Sequence, residues 1–337
     1  MKKLICLLSL LVITIPFIFA SGNKDKTPSG NIRIYTSMYE DVIKNVRIDL
    51  QRKFPKCNIE FVYGGTGRLK HMISTEKRRA RLGCDILMVA EPAYSLELKN
   101  SGLLHSYMSK EAGNLAFDYD PDGFWYPVRV NNMVLAYNPA RNQRNSVPNS
   151  FYDFAYDSRV RGALSMRNPN ISGTSMSTLT ALRDKYGYDY FTALGAQRVQ
   201  IEYGTAEAIR KLETGEYKVI MILEESILQK RMEGSTLEVI YPADGTIIIP
   251  STVMIINNQW SANRNTRTAE AIVDWFLSEE GQNAIVAGYM HSVRKDFPRI
   301  PFGSKPTEEI MENRIHINWE NNLRDRDEII HRFEEKR

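Results

Sequence analysis

From residue 31 onward the chain repeats one pattern. A short apolar or alternating run leads into a turn rich in glycine and hydroxyl side chains, and apolar residues at helical spacing follow. Ile32-Arg33-Ile34-Tyr35-Thr36 alternates as a strand, and residues 40–54 carry a helical pattern that Thr36 or Ser37 is placed to cap. Residues 59–63 form a second strand. Gly64-Gly65-Thr66-Gly67 closes it and opens a helix bearing Leu69, Met72 and Ile73. Residues 84–90 have the apolar run of a buried strand, followed by a short helix around Leu96 and Leu98. This alternation of strand and helix predicts a parallel sheet with right-handed crossovers.

The rhythm changes at residues 125–137, a long strand-like stretch that contains Pro127, Arg129, Asn131 and Asn132. It predicts a crossing into a second lobe. There, residues 163–166 form a short strand, and Pro169-Asn170-Ile171-Ser172-Gly173-Thr174 opens a helix with Met176, Leu179 and Leu182 on one face. Residues 218–223 form a buried strand that runs into Glu224-Glu225. After Pro250, residues 252–256 return as a strand, followed by a helix with Ile272, Val273, Phe276 and Leu277 and a charged helical tail. The expected division is residues 31–128 with 252–337 for the first lobe and 129–251 for the second, joined by two crossing strands with a cleft between.

Ahead of this lies Met1-Lys2-Lys3 and a 17-residue apolar stretch from Leu4 to Ala20, bounded by polar residues. That layout predicts a cleavable export signal over residues 1–20 and a periplasmic protein. Ser21 stands where an acylated cysteine would be expected, so a soluble protein without a lipid anchor is predicted. About 317 residues remain, enough for two lobes. Without Lys2 and Lys3, 42 basic residues face 40 acidic ones, which excludes a strong electrostatic case for nucleic acid. The basic run Lys77-Arg78-Arg79-Ala80-Arg81 reads as a solvated helix face. Cys6 lies in the signal; Cys57 and Cys84 each begin a strand and read as small core residues with free thiols.

Candidate chemistry concentrates in four turns: Thr36-Ser37, Gly65-Thr66-Gly67, Ser172-Gly173-Thr174 and Gly204-Thr205. Each precedes a predicted helix. A helix start presents unpaired N–H groups and partial positive charge, glycine permits close approach, and Ser or Thr adds a hydroxyl donor. Ordinary capping accounts for any one turn; four at strand ends point to a shared oxyanion site. Arg129, at the crossing, is placed to balance a phosphate or carboxylate, or else to form a structural ion pair. Glu224 and Glu225 end a buried strand, where they would bind a cation or sugar hydroxyls or form a solvated turn. No HExxH, Walker loop or recognisable nucleophile–base spacing occurs. A secreted hydrolase using Ser172 or Ser37 is the alternative, and it needs a nearby histidine.

Several of these segments resemble periplasmic solute-binding proteins of ABC importers. They are Tyr35-Thr36-Ser37-Met38-Tyr39-Glu40-Asp41, Tyr63-Gly64-Gly65-Thr66-Gly67, residues 83–90, residues 125–138 and Asn168-Pro169-Asn170-Ile171-Ser172-Gly173-Thr174. The similarity is to the ferric-iron-type branch, which includes binders of phosphorylated sugars, phosphonates and thiamine. Residues 274–282 are similar to that group's late helix. The resemblance implies a two-lobed α/β fold of type II, with ligand held in the cleft of a monomer and delivered to a membrane permease driven by an ATPase. It implies no catalysis and no resident cofactor. Ferric iron is the family's expected cargo, with a phosphorylated sugar, phosphonate or other organic anion next. The chain departs from the best-marked iron binders in having no adjacent tyrosine pair. Tyr39, Tyr203 and Glu225 remain as candidate iron ligands, since hard Fe(III) favours oxygen donors.

Overall fold

The computed structural model describes residues 27–336. The predicted export signal, Cys6 and Ser21 lie outside the described residues.

The strands are β1 (Gly30–Thr36), β2 (Cys57–Tyr63), β3 (Ile86–Val89), β4 (Tyr126–Tyr137), β5 (Leu164–Arg167), β6 (Gln200–Glu202), β7 (Val219–Leu223), β8 (Glu238–Ile240), β9 (Thr246–Ile255) and β10 (Arg314–Ile315). In space they follow the order β2-β1-β3-β9-β4-β7-β5-β6, with β10 beside β9 and β8 beside β4. β1 pairs in parallel with β2 and β3, as the alternating pattern predicts, and β5 pairs in parallel with β6 and β7. β4 and β9 join these two sets. They run antiparallel to each other, β9 pairing also with β3 and β4 also with β7.

The helices of the first set are α1 (Glu40–Lys53), α2 (Thr66–Lys77) and α3 (Pro92–Asn100). Those following β4 are α4 (Phe151–Tyr156), α5 (Gly173–Tyr186), α6 (Asp189–Ala196), α7 (Thr205–Thr214) and α8 (Glu224–Met232). The chain ends with α9 (Thr266–Leu277), α10 (Glu279–Ala287), α11 (Thr307–Glu312) and α12 (Trp319–Lys336). One core gathers Ile32, Ile34, Ile86 and Val253 with Ile272 and Phe276 of α9. Another gathers Leu135, Leu164 and Met221 with Leu179 and Leu182 of α5. α12, read from sequence as part of the first lobe, buries Ile329 and Phe333 in this second core.

Three local readings are corrected. β9 begins at Thr246 rather than beyond Pro250, because Ile247, Ile248 and Ile249 are buried and pair with β4. Pro250 has no N–H to give; Val130 opposite it donates its own N–H to the His291 carbonyl at 3.0 Å. The basic run leaves the helix at Lys77, and Ala80 takes a left-handed φ of 54°, so those exposed charges lie on a turn. Neither Thr36 nor Ser37 caps α1: its N-cap is Tyr39, and the Thr36 hydroxyl instead accepts from the Met38 N–H at 3.0 Å. Cys57 and Cys84 are buried free thiols.

Candidate ligand-binding cleft

Residues that follow β1, β2, β3, β5 and β6, with the end of β7 itself, meet around one cavity of about 70 Å³. On this measure one water takes roughly 10–15 Å³, so the space suits a phosphate-sized group. Ser37, Gly65, Thr66, Arg129, Ser172, Gly173, Thr174 and Thr205 line it, drawn from four separate turns and from β4. A wider vestibule of about 890 Å³ adjoins it, lined by Gly67, Tyr203 and Gly204 and sharing Tyr39, Gly65 and Thr205 with the chamber.

β4 supplies the cavity floor. Arg129, Asn131 and Met133 are spaced by two, so the pleat turns them to one face. Arg129 is 2% exposed, yet its partners are weak. Nη1 meets the Met290 sulfur at 2.9 Å, Nη2 donates to Ser37 Oγ at 3.3 Å, and Nε has no partner. Burial lowers its pKa, opposed by the charge of Glu225. The sequence reading missed Arg167, the last residue of β5. Its Nη1 donates to Thr205 Oγ1 at 2.6 Å, and its buried Nε is also unpartnered. Among the described residues neither arginine forms a salt bridge, and no Asp or Glu lines the chamber. The starts of α2, α5 and α7 add N–H groups and positive potential. A strand-end cation three residues before the 170–174 turn was the signal available for Arg167.

Tyr63 was missed too. Burial raises its phenol above the ordinary value, with Tyr39 adding to the effect. Ser172 is a true cap, accepting from the Ser175 N–H at 3.2 Å and bonding Thr174 Oγ1 at 3.0 Å. Among the described residues neither Ser172 nor Ser37 has a histidine as hydrogen-bond partner.

The two glutamates lie elsewhere. Asn131 Nδ2 donates to Glu225 Oε1 at 2.8 Å, placing that carboxyl behind the floor. Its burial pushes the pKa up to about 7, against the pull of Arg129. Glu224 sits in a separate buried network, accepting from Asn132 Nδ2 at 2.9 Å, Ser304 Oγ at 2.6 Å and the Tyr241 hydroxyl, with His291 Nε2 at 3.1 Å. Burial alone would raise its pKa; His291, Ser304 and Tyr241 together hold it below the ordinary value. The Ser304–His291–Glu224 contacts do not form a relay, since serine and glutamate share the same ring nitrogen while Nδ1 faces Thr307. The proposed metal set is therefore not assembled. Tyr39 and Tyr203 flank the vestibule, Tyr203 69% exposed, and Glu225 lines neither space. Among the described residues no group of three or more His, Cys, Asp or Glu is placed to hold a metal.

Comparison with solved structures shows the same architecture. Iron-bound HitA from Pseudomonas aeruginosa superposes with a TM-score of 0.78 at 21% identity, covering 91% of this chain and 99% of that one. AfuA from Actinobacillus pleuropneumoniae, bound to fructose-6-phosphate, gives 0.79 at 20% identity, over 91% and 98%. A periplasmic thiamin-binding protein gives 0.76 at 14% identity, over 91% and 96%. At these identities the likeness establishes the fold, that of type II periplasmic binding proteins. An uncharacterized protein of Haemophilus influenzae is 28% identical over 141 residues, 40% of this chain, which spans 39% of that relative. Residues 84–322 match the model of the bacterial extracellular solute-binding proteins, and the chain belongs to that family.

Proposed function

We propose that this protein captures a small organic anion, a phosphate monoester first, and delivers it to the permease and ATPase of an ABC importer. One observation carries the reading: two guanidinium groups with unpartnered nitrogens face a chamber that no carboxylate lines. Buried cations demand a counter-charge. A dianion held by both arginines, the surrounding hydroxyls and the helix starts supplies it. The chamber fits the charged head, and the vestibule leaves room for the body of the ligand. Residues 31–128 with 252–318 and residues 129–251 with α12 are the proposed lobes, closing over the ligand about β4 and β9.

This ranks the organic anion ahead of ferric iron. Fe(III) would enter between two fixed cations, beside a Tyr63 phenol whose pKa burial raises. Calorimetry and thermal melts with fructose 6-phosphate, inorganic phosphate and ferric citrate test the choice. A phosphate ester at 100 times its Kd should add about 2.7 kcal/mol of stability. Retention of iron with a visible charge-transfer band, and indifference to the esters, would overturn it.

A further inference from the structure

We infer that Gly67 and Gly173 set how closely the two halves approach, and so whether their donors reach the same anion; the binding readout rests on the capture reading above. The halves meet where the turn after β2 faces the turn after β5. There the Gly67 N–H donates to the Ile171 carbonyl at 3.2 Å. A Cβ at position 67 would lie 2.6 Å from the Asn170 oxygen and 2.8 Å from Ile171 Cα. At position 173 it would lie 2.9 Å from the Ala90 oxygen and 2.9 Å from Thr66 Cβ. The atoms met at 67 are backbone, and those at 173 include a backbone carbonyl, so a small rotamer change cannot relieve either clash.

Neither glycine has a left-handed φ. Their own backbone therefore does not require glycine. Gly67 lies within α2 and Gly173 opens α5, positions where alanine favours the helix. The need for glycine comes only from the opposite half. This revises the reason for the two residues: the sequence reading took them as room for a ligand, and the structure uses that room for the other half's chain. With Gly65, whose Cβ would lie 3.0 Å from the Ile171 oxygen, they bring Thr66 against the 170–174 turn and reduce the chamber to about 70 Å³.

The test uses G67A and G173A in the full mature chain, with G113A as control. Gly113 has no neighbour within 4 Å of an added Cβ and no left-handed φ. Exchange of the Gly67 amide, followed by NMR, should be about tenfold or more faster in G173A than in wild type or G113A, as expected for a lost protecting bond. Small-angle scattering should give G67A a larger radius of gyration than wild type, which keeps the test open if G173A does not fold. Affinity for fructose 6-phosphate and inorganic phosphate should weaken about tenfold or more in both variants, while thermal midpoints hold or rise. Wild-type amide exchange in G173A, a wild-type radius in G67A, or unchanged anion affinity would each overturn the inference. If exchange and radius change as expected but wild type binds neither anion, closure by these glycines stands and the anion reading fails.

Discussion

Arg129 and Glu224 are buried alike, 2% and 1% exposed, and both bear on the crossing strand β4. Their surroundings differ. Glu224 has Asn132, Tyr241, Ser304 and His291 around its two oxygens. Arg129 has a thioether, one long hydrogen bond and an unpartnered Nε. A charge whose bonds are all made within the chain serves the fold. A buried charge with unmade bonds, aimed into a cavity, is set for something that arrives from outside. The contrast separates the structural side of the hinge from the binding side, although Asn131, which lines the chamber, and Asn132, which holds Glu224, are neighbours on β4.

Removing the satisfied charge should have the largest effect. Glu224→Ala strands four polar partners and should cost about 3–5 kcal/mol of stability, read as a drop in urea midpoint at pH 7. Lowering the pH should act in the same direction. The folded pKa lies below that of the unfolded chain, so this carboxylate's contribution is present above the ordinary range and fades as pH falls through the folded value. Arg129→Met should do the reverse: stability held or raised, and fructose 6-phosphate affinity lost by a hundredfold or more, about 3 kcal/mol. If the arginine variant unfolds and still binds, the contrast between the two sites is wrong.

The sequence showed this difference only in part. Strand–turn–helix order is local, so the periodicity placed β1, β2, β5 and β7 and put Ser37, Thr66, Ser172 and Thr205 at one cavity. Nothing local distinguishes Glu224 from Arg129, since both are charged residues in apolar strand context. The partners that decide their roles, Tyr241, His291, Ser304 and Met290, lie far away in sequence. Arg167 was hidden for the same reason: its bond to Thr205 spans 38 residues. The glycines were found, but their close contacts with the opposite half were not, because closeness between halves leaves no trace in spacing.

Glu225 gives a smaller effect that tests the boundary between the two sides. Its folded pKa, about 7, lies above the ordinary 4.5, so the folded protein keeps a proton that the unfolded chain has released. Stability should therefore fall as pH rises from 4.5 to about 7 and then level off. Glu225→Gln removes that slope. It should match wild type at pH near 4 and exceed it at pH 8 by on the order of 3 kcal/mol, measured as urea midpoints. A wild-type slope in the variant would mean that Glu225 is already ionised without penalty, and that Arg129 is better neutralised than the contrast requires.

The smallest expected effect concerns Ser172, which belongs to both sides. Its Oγ accepts from the Ser175 N–H and shares a hydrogen bond with Thr174 Oγ1 at the chamber wall. Ser172→Ala removes the cap and should lower stability by about 1 kcal/mol, while Ser172→Gly should recover most of that. If capping is its main work, anion affinity changes less than about threefold in both variants, a difference under 1 kcal/mol. A larger loss, equal in the alanine and glycine forms, would make Ser172 a ligand donor. The turn's hydroxyl would then share the role of Arg129, and the line between cap and binding group would have to be drawn between Ser172 and Ser175.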